Sequence, residues 1–408
     1  MISPGHLTSN PRLVKEADAL TAAGHAVVVI SGWSFPPLVS DDWRFAKRAW
    51  SDWRQVPYGA LAPPWRRQWQ RLRQRLARLI VNIGVRWPAL VIRAWHPAGV
   101  ELIHAAKSVC ADLYIAHYPA ALPAAALAAR AHAARYGFDA EDFHLGDWPE
   151  EPSYDRQRRL LRSLESTYLP GCAYITAASP GIAQAYADSY GIALPAVLRN
   201  VFPLCQAPPG PTHRGTASPG PSLYWFSQTI GPDRGLEAAV RALAQARCHP
   251  HLYLRGFISD TYRRILIDIA VAEGVSEHLH ILPPAPPEQL ERLAAAYDLG
   301  LVAETGCTPN RRIALTNKLF SYALAGIPAV ITDIPAHRAF AKDAGVAVHL
   351  YAVDDAMSLA TAIDNFCHPQ SERLADARAH AFALAQNTLN WDHEQRLLTQ
   401  LVECSLGT

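Results

Sequence analysis

Short apolar runs alternate with amphipathic helical patterns along most of the chain. Leu13, Val14, Ala17 and Leu20 recur at helical spacing within residues 10–23, Gly24 stops that helix, and the run 26–30 (AVVVI) follows. Residues 1–5 read as the tail of a first strand followed by a loop, with two readings open: a very short strand, or one whose start is cut off. Further strands are expected at 111–116, 173–177 and 196–199, and helices at 120–136, 154–168 and 180–190. Uninterrupted apolar runs suit strands covered on both faces of a parallel sheet, and their alternation with helices suits a doubly wound α/β domain.

The stretch QAPPGPTHRGTASPGP breaks this rhythm, being rich in Pro, Gly, Ser and Thr with no apolar period. Beyond it the alternation restarts. Strands are expected at 223–226, 251–254, 280–282, 299–303 and 329–332, and helices at 235–247, 262–273 and 287–297. Helical patterns over 355–366, 371–385 and 391–403 close the chain. A length of 408 residues suits two domains. The organisation expected is a first α/β domain over 1–205, a linker over 206–221, a second α/β domain over 222–385 and a terminal segment over 386–408.

Residues 34–64 read as irregular and aromatic, with Trp43, Trp50, Trp53 and Tyr58. A strongly amphipathic helix is then expected over 65–87. Trp69, Leu72, Leu76, Leu79, Ile80, Ile83 and Trp87 form one stripe, and Arg66, Arg67, Arg71, Arg73, Arg75 and Arg78 cover the rest. Two readings stay open: a helix lying on an anionic membrane, or one folded onto its own domain with its arginines in water.

Composition narrows the function classes. Half the residues are apolar and 18% charged, so the chain is globular. A formal charge of +2 gives no ground for a nucleic-acid partner. The seven cysteines are scattered and form no C-x-x-C pair, which fits a reducing compartment and argues against structural zinc. No signal-peptide pattern and no apolar run of membrane-spanning length is seen. The expected location is cytoplasmic, on the inner membrane face if the arginine-rich helix docks there.

The chemistry concentrates in DLGLVAETGCTPNRRIALTNKLFSYALAGIPAVITD, residues 298–333, which reads as strand, polar loop, helix and strand. Thr316 or Asn317 is placed to cap the helix, and Lys318 lies in its first turn. Such a helix start after a strand is suited to an anion, although a solvated surface lysine is the plainer alternative. Arg234, in the loop after the second domain's first strand, is placed to grip the same diphosphate, or else to pair with Asp233 or Glu237. A dinucleotide fingerprint, a P-loop and a G-x-S-x-G elbow are all missing. No metal site is expected: Asp41-Asp42 and Asp354-Asp355 read as turn or cap residues, and Asp139, Glu141, Asp142 and His144 as a solvated acidic loop.

Taken together, these segments resemble the family-4 glycosyltransferases (glycosyl transferases group 1), whose GT-B fold sets two Rossmann-like domains across a central cleft. SNPRLVKEADALTAAGHAVVVIS resembles their first helix and second strand, and AASPGIAQAYADSYG with VLRNVFPL the end of their first domain. WFSQTIGPDRGLEAAVRAL resembles the opening of their donor domain, and TNKLFSYALAGIPAVITD their nucleotide-sugar motif. The helix after Trp391 resembles one that crosses back to the first domain.

The resemblance implies a retaining, metal-independent enzyme with no cofactor. Its donor substrate would be a nucleotide-diphosphate sugar and its acceptor a glycan or lipid-linked molecule, in envelope polysaccharide synthesis. Arg234 and Lys318 would hold the donor diphosphate, and His117 would lie near the transferred sugar. Two departures stand out. The family's glutamate pair, whose second member binds the donor ribose, is replaced by Ile313 and Ser321, and PGHLTSNP replaces a Gly-Gly loop. Glu304, Asn317 and Ser321 are candidates for part of the ribose contact, with Thr316 beside them. The rival expectations are a degenerate GT-B protein that binds a nucleotide sugar without turnover, and a nucleotide-sugar epimerase of the same fold. The latter needs acid–base carboxylates, for which only Glu304 and the 139–142 loop are candidates.

Overall fold

A computed structural model describes residues 1–210, 220–367 and 373–407. Most of the linker expected at 206–221 lies outside the described residues, as do the first two residues of the helix expected from Ser371. The chain divides into one unit of Met1–Leu198 with Gln395–Thr408, and a second of Arg199–Glu394.

In the first unit the described strands are β1 (Ile2–Ser3), β2 (Val28–Trp33), β3 (Asp52–Pro57), β4 (Leu113–His117), β5 (Arg135–Ala140), β6 (Tyr174–Ala177) and β7 (Ala196–Val197). They form one parallel sheet in the order β3-β2-β1-β4-β5-β6-β7. The two-residue β1 is central, with Ile2 opposite Ile30 on one side and Ala116 on the other. The order reverses between β1 and β4, so the loops leaving those strands flank the crevice where doubly wound sheets place ligands.

Two strands of the first unit depart from the sequence expectation. β3 lies within the stretch expected to be irregular: it is an edge strand with only Val56 buried, so it carries no apolar run. The alanine-rich helix expected over 120–136 is Leu122–Ala131, and the chain turns at Ala133, φ 54°, into β5. Asp139 therefore belongs to a buried strand and not to a solvated loop. The arginine-rich helix is also shorter than expected, Pro64–Asn82, and ends ahead of Gly84 at φ 102°. A new helix, Pro88–Trp95, follows.

In the second unit the described strands are β8 (Ser222–Ile230), β9 (His251–Ile258), β10 (Leu279–Leu282), β11 (Leu299–Val302), β12 (Ala329–Thr332) and β13 (Val348–Tyr351). They too are parallel, in the order β10-β9-β8-β11-β12-β13, with the reversal between β8 and β11. Leu223, Trp225, Leu252, Leu254, Leu299, Leu301 and Val330 from the sheet pack with Leu236, Val240, Leu243, Leu266 and Ile363 from helices. Each such side chain contributes about 1.5–3 kcal/mol on burial.

Candidate functional site

Helix Asn317–Ala325 is seated on the second sheet by a close approach at Gly300 of β11. A Cβ there would lie 2.3 Å from the Tyr322 ring. Tyr322 also donates its hydroxyl to the carbonyl of Tyr224, at 2.8 Å, across the β8–β11 junction. This fixes the start of the helix beside the carboxyl ends of both strands, at the topological reversal. Thr316 is the N-cap residue, but its side chain makes no capping bond; Asn317 is exposed in the first turn.

Lys318 points back into the sheet and is only 6% exposed. Its Nζ donates to Glu304 Oε1 at 3.2 Å and lies 5.2 Å from the centroid of the Trp225 ring. Glu304 follows β11, and its carbonyl accepts from Thr332 Oγ1 at 2.8 Å, which ties the loop to β12. Burial pushes the Glu304 carboxyl up, but Lys318, by charge and hydrogen bond, and then Arg234 and Arg311, by charge, hold it below the ordinary carboxylate value. Three cations thus act on one carboxylate, Lys318 in direct contact and Arg234 and Arg311 through charge alone.

Arg234 is brought there by its neighbour. Gly235 has φ 64°, and a Cβ on it would meet the Ala303 carbonyl oxygen at 2.8 Å. The loop after β8 therefore lies directly against the end of β11 and carries Arg234 to the Glu304 side. Arg234 forms no ion pair with Asp233 or Glu237 among the described residues.

Ser321 is not placed as expected. It is fully buried, and its hydroxyl donates to Glu291 Oε1 at 2.8 Å, so it faces helix Leu290–Ala294 rather than a ligand. The structure thus sets a buried carboxylate beside position 321 from thirty residues upstream, which no local pattern could announce. Arg311, from the short helix Pro309–Ile313, is the other participant that sequence reasoning left unassigned.

In the first unit the reversal point is filled by charge. Arg12, fully buried in helix Pro11–Ala22, grips Asp139 of β5 with Nε and Nη2, each at 2.7 Å. His117, the last residue of β4, lies between Asp139 and Glu16, its Nδ1 3.4 Å from Asp139 Oδ2 and its Nε2 3.3 Å from Glu16 Oε2. Thr176 donates to Asp139 Oδ1 at 2.6 Å. Desolvation alone would lower the His117 pKa, but the two carboxylates push it up to about 9. Asp139, which burial would raise, is held well below the usual range by Arg12 and His117. Glu16, His117 and Asp139 have the spacing of metal ligands, yet the two carboxylates are already compensated by the Arg12 guanidinium together with His117. The expected contact between His117 and a sugar conflicts with this setting, because the ring is buried and both nitrogens face carboxylates.

The loop that replaces the Gly-Gly element is organised by His6. Its Nδ1 is 2.7 Å from Asp42 Oδ2, and its Nε2 accepts from the amides of Ser34 and Phe35, each at 3.0 Å. An acceptor at Nε2 means the proton sits on Nδ1, facing Asp42, and the imidazole is neutral.

No family model matches the chain, and no curated protein matches its sequence. Solved structures do match over nearly its whole length. HepE of Anabaena in complex with UDP has a TM-score of 0.69 at 16% identity, over 99% of this chain and 98% of that one; its complex with UDP-glucose has a TM-score of 0.66. Sucrose-phosphate synthase of Thermosynechococcus elongatus has a TM-score of 0.67 at 14% identity, over 98% and 94%. WaaG, a glycosyltransferase involved in lipopolysaccharide biosynthesis, has a TM-score of 0.58 at 12% identity, over 98% and 99%. The chain has the α/β GT-B fold of these glycosyltransferases.

Proposed function

We propose that this protein is a glycosyltransferase whose second unit holds a nucleotide-diphosphate sugar. The observation that carries the reading is the cation cluster of Lys318, Arg234 and Arg311 around Glu304, at the β8–β11 reversal of a GT-B fold. The structural neighbours solved with UDP and UDP-glucose support a uridine nucleotide as the first donor to test. Lys318 and Arg234 would take the diphosphate, while the exposed Asn317 and the neighbouring Thr316 border it at the helix start. With Ser321 sealed against Glu291, the ribose contact falls to Asn317 or Glu304.

As the bond from sugar to diphosphate breaks, negative charge grows on the leaving oxygen. Fixed cations and helix N–H groups stabilise that charge without reorganising. The cluster supplies this within the protein, so we read the transfer as metal-independent, without a cofactor and, from the family resemblance, retaining. His117 acts as a positioning residue that holds the end of β4, not as a sugar contact. The acceptor we infer is a glycan or lipid-linked molecule of envelope polysaccharide, a reading that the likeness to WaaG supports. Among the described residues no helix is long and apolar enough to cross a membrane, and we place the protein on the inner membrane face as a peripheral protein.

A second reading, binding without turnover, is favoured by Ile313 and by the buried Ser321 in place of the two glutamates. The test is release of nucleoside diphosphate from a panel of UDP-, GDP-, dTDP- and ADP-sugars in the presence of an envelope-glycan and membrane-lipid extract that supplies the acceptor hydroxyl. Turnover with one donor that falls roughly 10²–10³-fold in Lys318→Ala and in Arg234→Ala supports transfer. Saturable binding with no release from any donor supports the second reading.

A further inference from the structure

Helix Pro64–Asn82 is mounted with a narrow face of small apolar and polar residues inward. Gln70, Ala77 and Val81 are its buried residues. Gln74 and Arg78 donate to the carbonyl of Ala94, at 3.3 and 2.9 Å, near the end of helix Pro88–Trp95. Arg73 donates to Pro97 O and Glu101 Oε2, each at 2.7 Å. The large apolar side chains face the other way. Trp65 is 66% exposed, Trp69 56% and Leu79 63%, Ile83 at the helix end is 81% exposed, and Trp87, in the turn that follows, is 71% exposed. Single exposed apolar residues are ordinary, but a continuous stripe of this length marks an interaction surface.

The charge around the stripe indicates its occupant. The helix contains no acidic residue, and Arg66, Arg71 and Arg75 flank the apolar side chains. At its carboxyl end, next to Ile83, lies a pocket of about 100 Å³ lined by Val81, Asn82, Gly84, Leu160 and three arginines, Arg86, Arg156 and Arg159. Arg156 and Arg159 come from helix Asp155–Tyr168, and none of the three arginines forms an ion pair among the described residues. Tryptophans along an apolar stripe, arginines beside it and a cationic pocket at its end match the layers of an anionic bilayer: acyl chains, interface and phosphates.

We propose that helix 64–82 lies in the plane of an anionic bilayer, with its stripe among the acyl chains and a lipid phosphate in the Arg86–Arg156–Arg159 pocket. This rests on the membrane-face part of the proposed function and is independent of the transfer chemistry. The test is co-flotation of the full chain with phosphatidylcholine vesicles, with and without phosphatidylglycerol. Wild type should float with the anionic vesicles and only weakly with the neutral ones. Trp69→Ser/Leu76→Ser/Ile83→Ser should lose flotation, and Arg86→Glu/Arg156→Glu/Arg159→Glu should weaken it at least roughly tenfold. These side chains face outward, so both variants should keep the wild-type Tm and nucleoside-diphosphate binding. The proposal is overturned if wild type does not float, if neutral and anionic vesicles bind alike, or if the arginine variant floats as wild type does. A stripe variant that instead turns a dimer into a monomer overturns it in favour of a second copy. Loss of nucleotide binding in wild type counts against the donor reading alone.

Discussion

Lys318 and Glu304 form a mostly buried ion pair, Nζ to Oε1 at 3.2 Å, at the point where the second sheet reverses its strand order. The carboxylate does two things: it compensates a lysine that would otherwise be buried alone, and it leaves the surrounding arginines as net positive charge.

Removing that carboxylate should expose both roles. Glu304→Gln is expected to destabilise the protein by about 1–3 kcal/mol at pH 7. Because the folded-state pKa of Glu304 is depressed, its contribution is present above the ordinary value of 4.5 and fades as pH falls through the lowered value. Urea midpoints of wild type and Glu304→Gln should therefore converge in acid. A gap that is constant down to the acid limit would contradict the pairing.

The loop that carries Arg234 depends on Gly235. In Gly235→Ala the new Cβ meets the Ala303 oxygen at 2.8 Å in a left-handed conformation. That conformation alone costs about 1–2 kcal/mol, and each kcal/mol lowers Tm by about 2–4 °C in a unit of this size. The expected outcome is a lower Tm together with weakened nucleoside-diphosphate binding, since the loop must shift away from β11. Unchanged calorimetric Tm and affinity would show that Arg234 is not held this way.

The parts of the proposed donor site were legible because they are local. The start of helix Asn317–Ala325, Lys318 and Arg234 all lie within apolar–polar alternation that a parallel sheet imposes on its sequence. What stayed hidden depends on distance or on masking. Glu291 reaches Ser321 from another helix, and Arg12 reaches Asp139 across 127 residues, so neither partner marks the other in sequence. β5 was hidden because alanines continue the helical pattern up to a turn at Ala133 that lacks glycine. The amphipathicity of helix 64–82 was plain in sequence, but the side it turns outward is set by Gln74, Arg73 and Arg78 reaching carbonyls around Trp95.

The buried charges of the first unit should govern alkaline stability. The His117 pKa, raised to about 9, means its contribution is complete below the ordinary value of 6.5 and is lost as pH rises through about 9. The Tm difference between wild type and His117→Gln should shrink from pH 6 to pH 10. Turnover at pH 7, measured well below either Tm, should change far less than in Lys318→Ala. A hundredfold loss of turnover with an unchanged Tm would restore His117 as a sugar contact.

Asp139→Asn should be the more damaging change, because it strands the buried Arg12 guanidinium. Breaking such a pair by removing one partner costs about 3–5 kcal/mol. Chemical denaturation should show that loss, with nucleoside-diphosphate affinity retained in the fraction that folds. A loss below 1 kcal/mol would mean that water or Glu16 already compensates Arg12.

The central claim is that Lys318 and Arg234 bind the donor diphosphate, and calorimetric titration of UDP, GDP, dTDP and ADP tests it directly. Wild type should bind one of these. Lys318→Ala and Arg234→Ala should each weaken that binding by roughly 10–100-fold, the loss of one charge-assisted contact, while Lys318→Arg keeps a cation there and loses less. Wild-type binding that survives both alanine substitutions unchanged in folded protein would contradict the account.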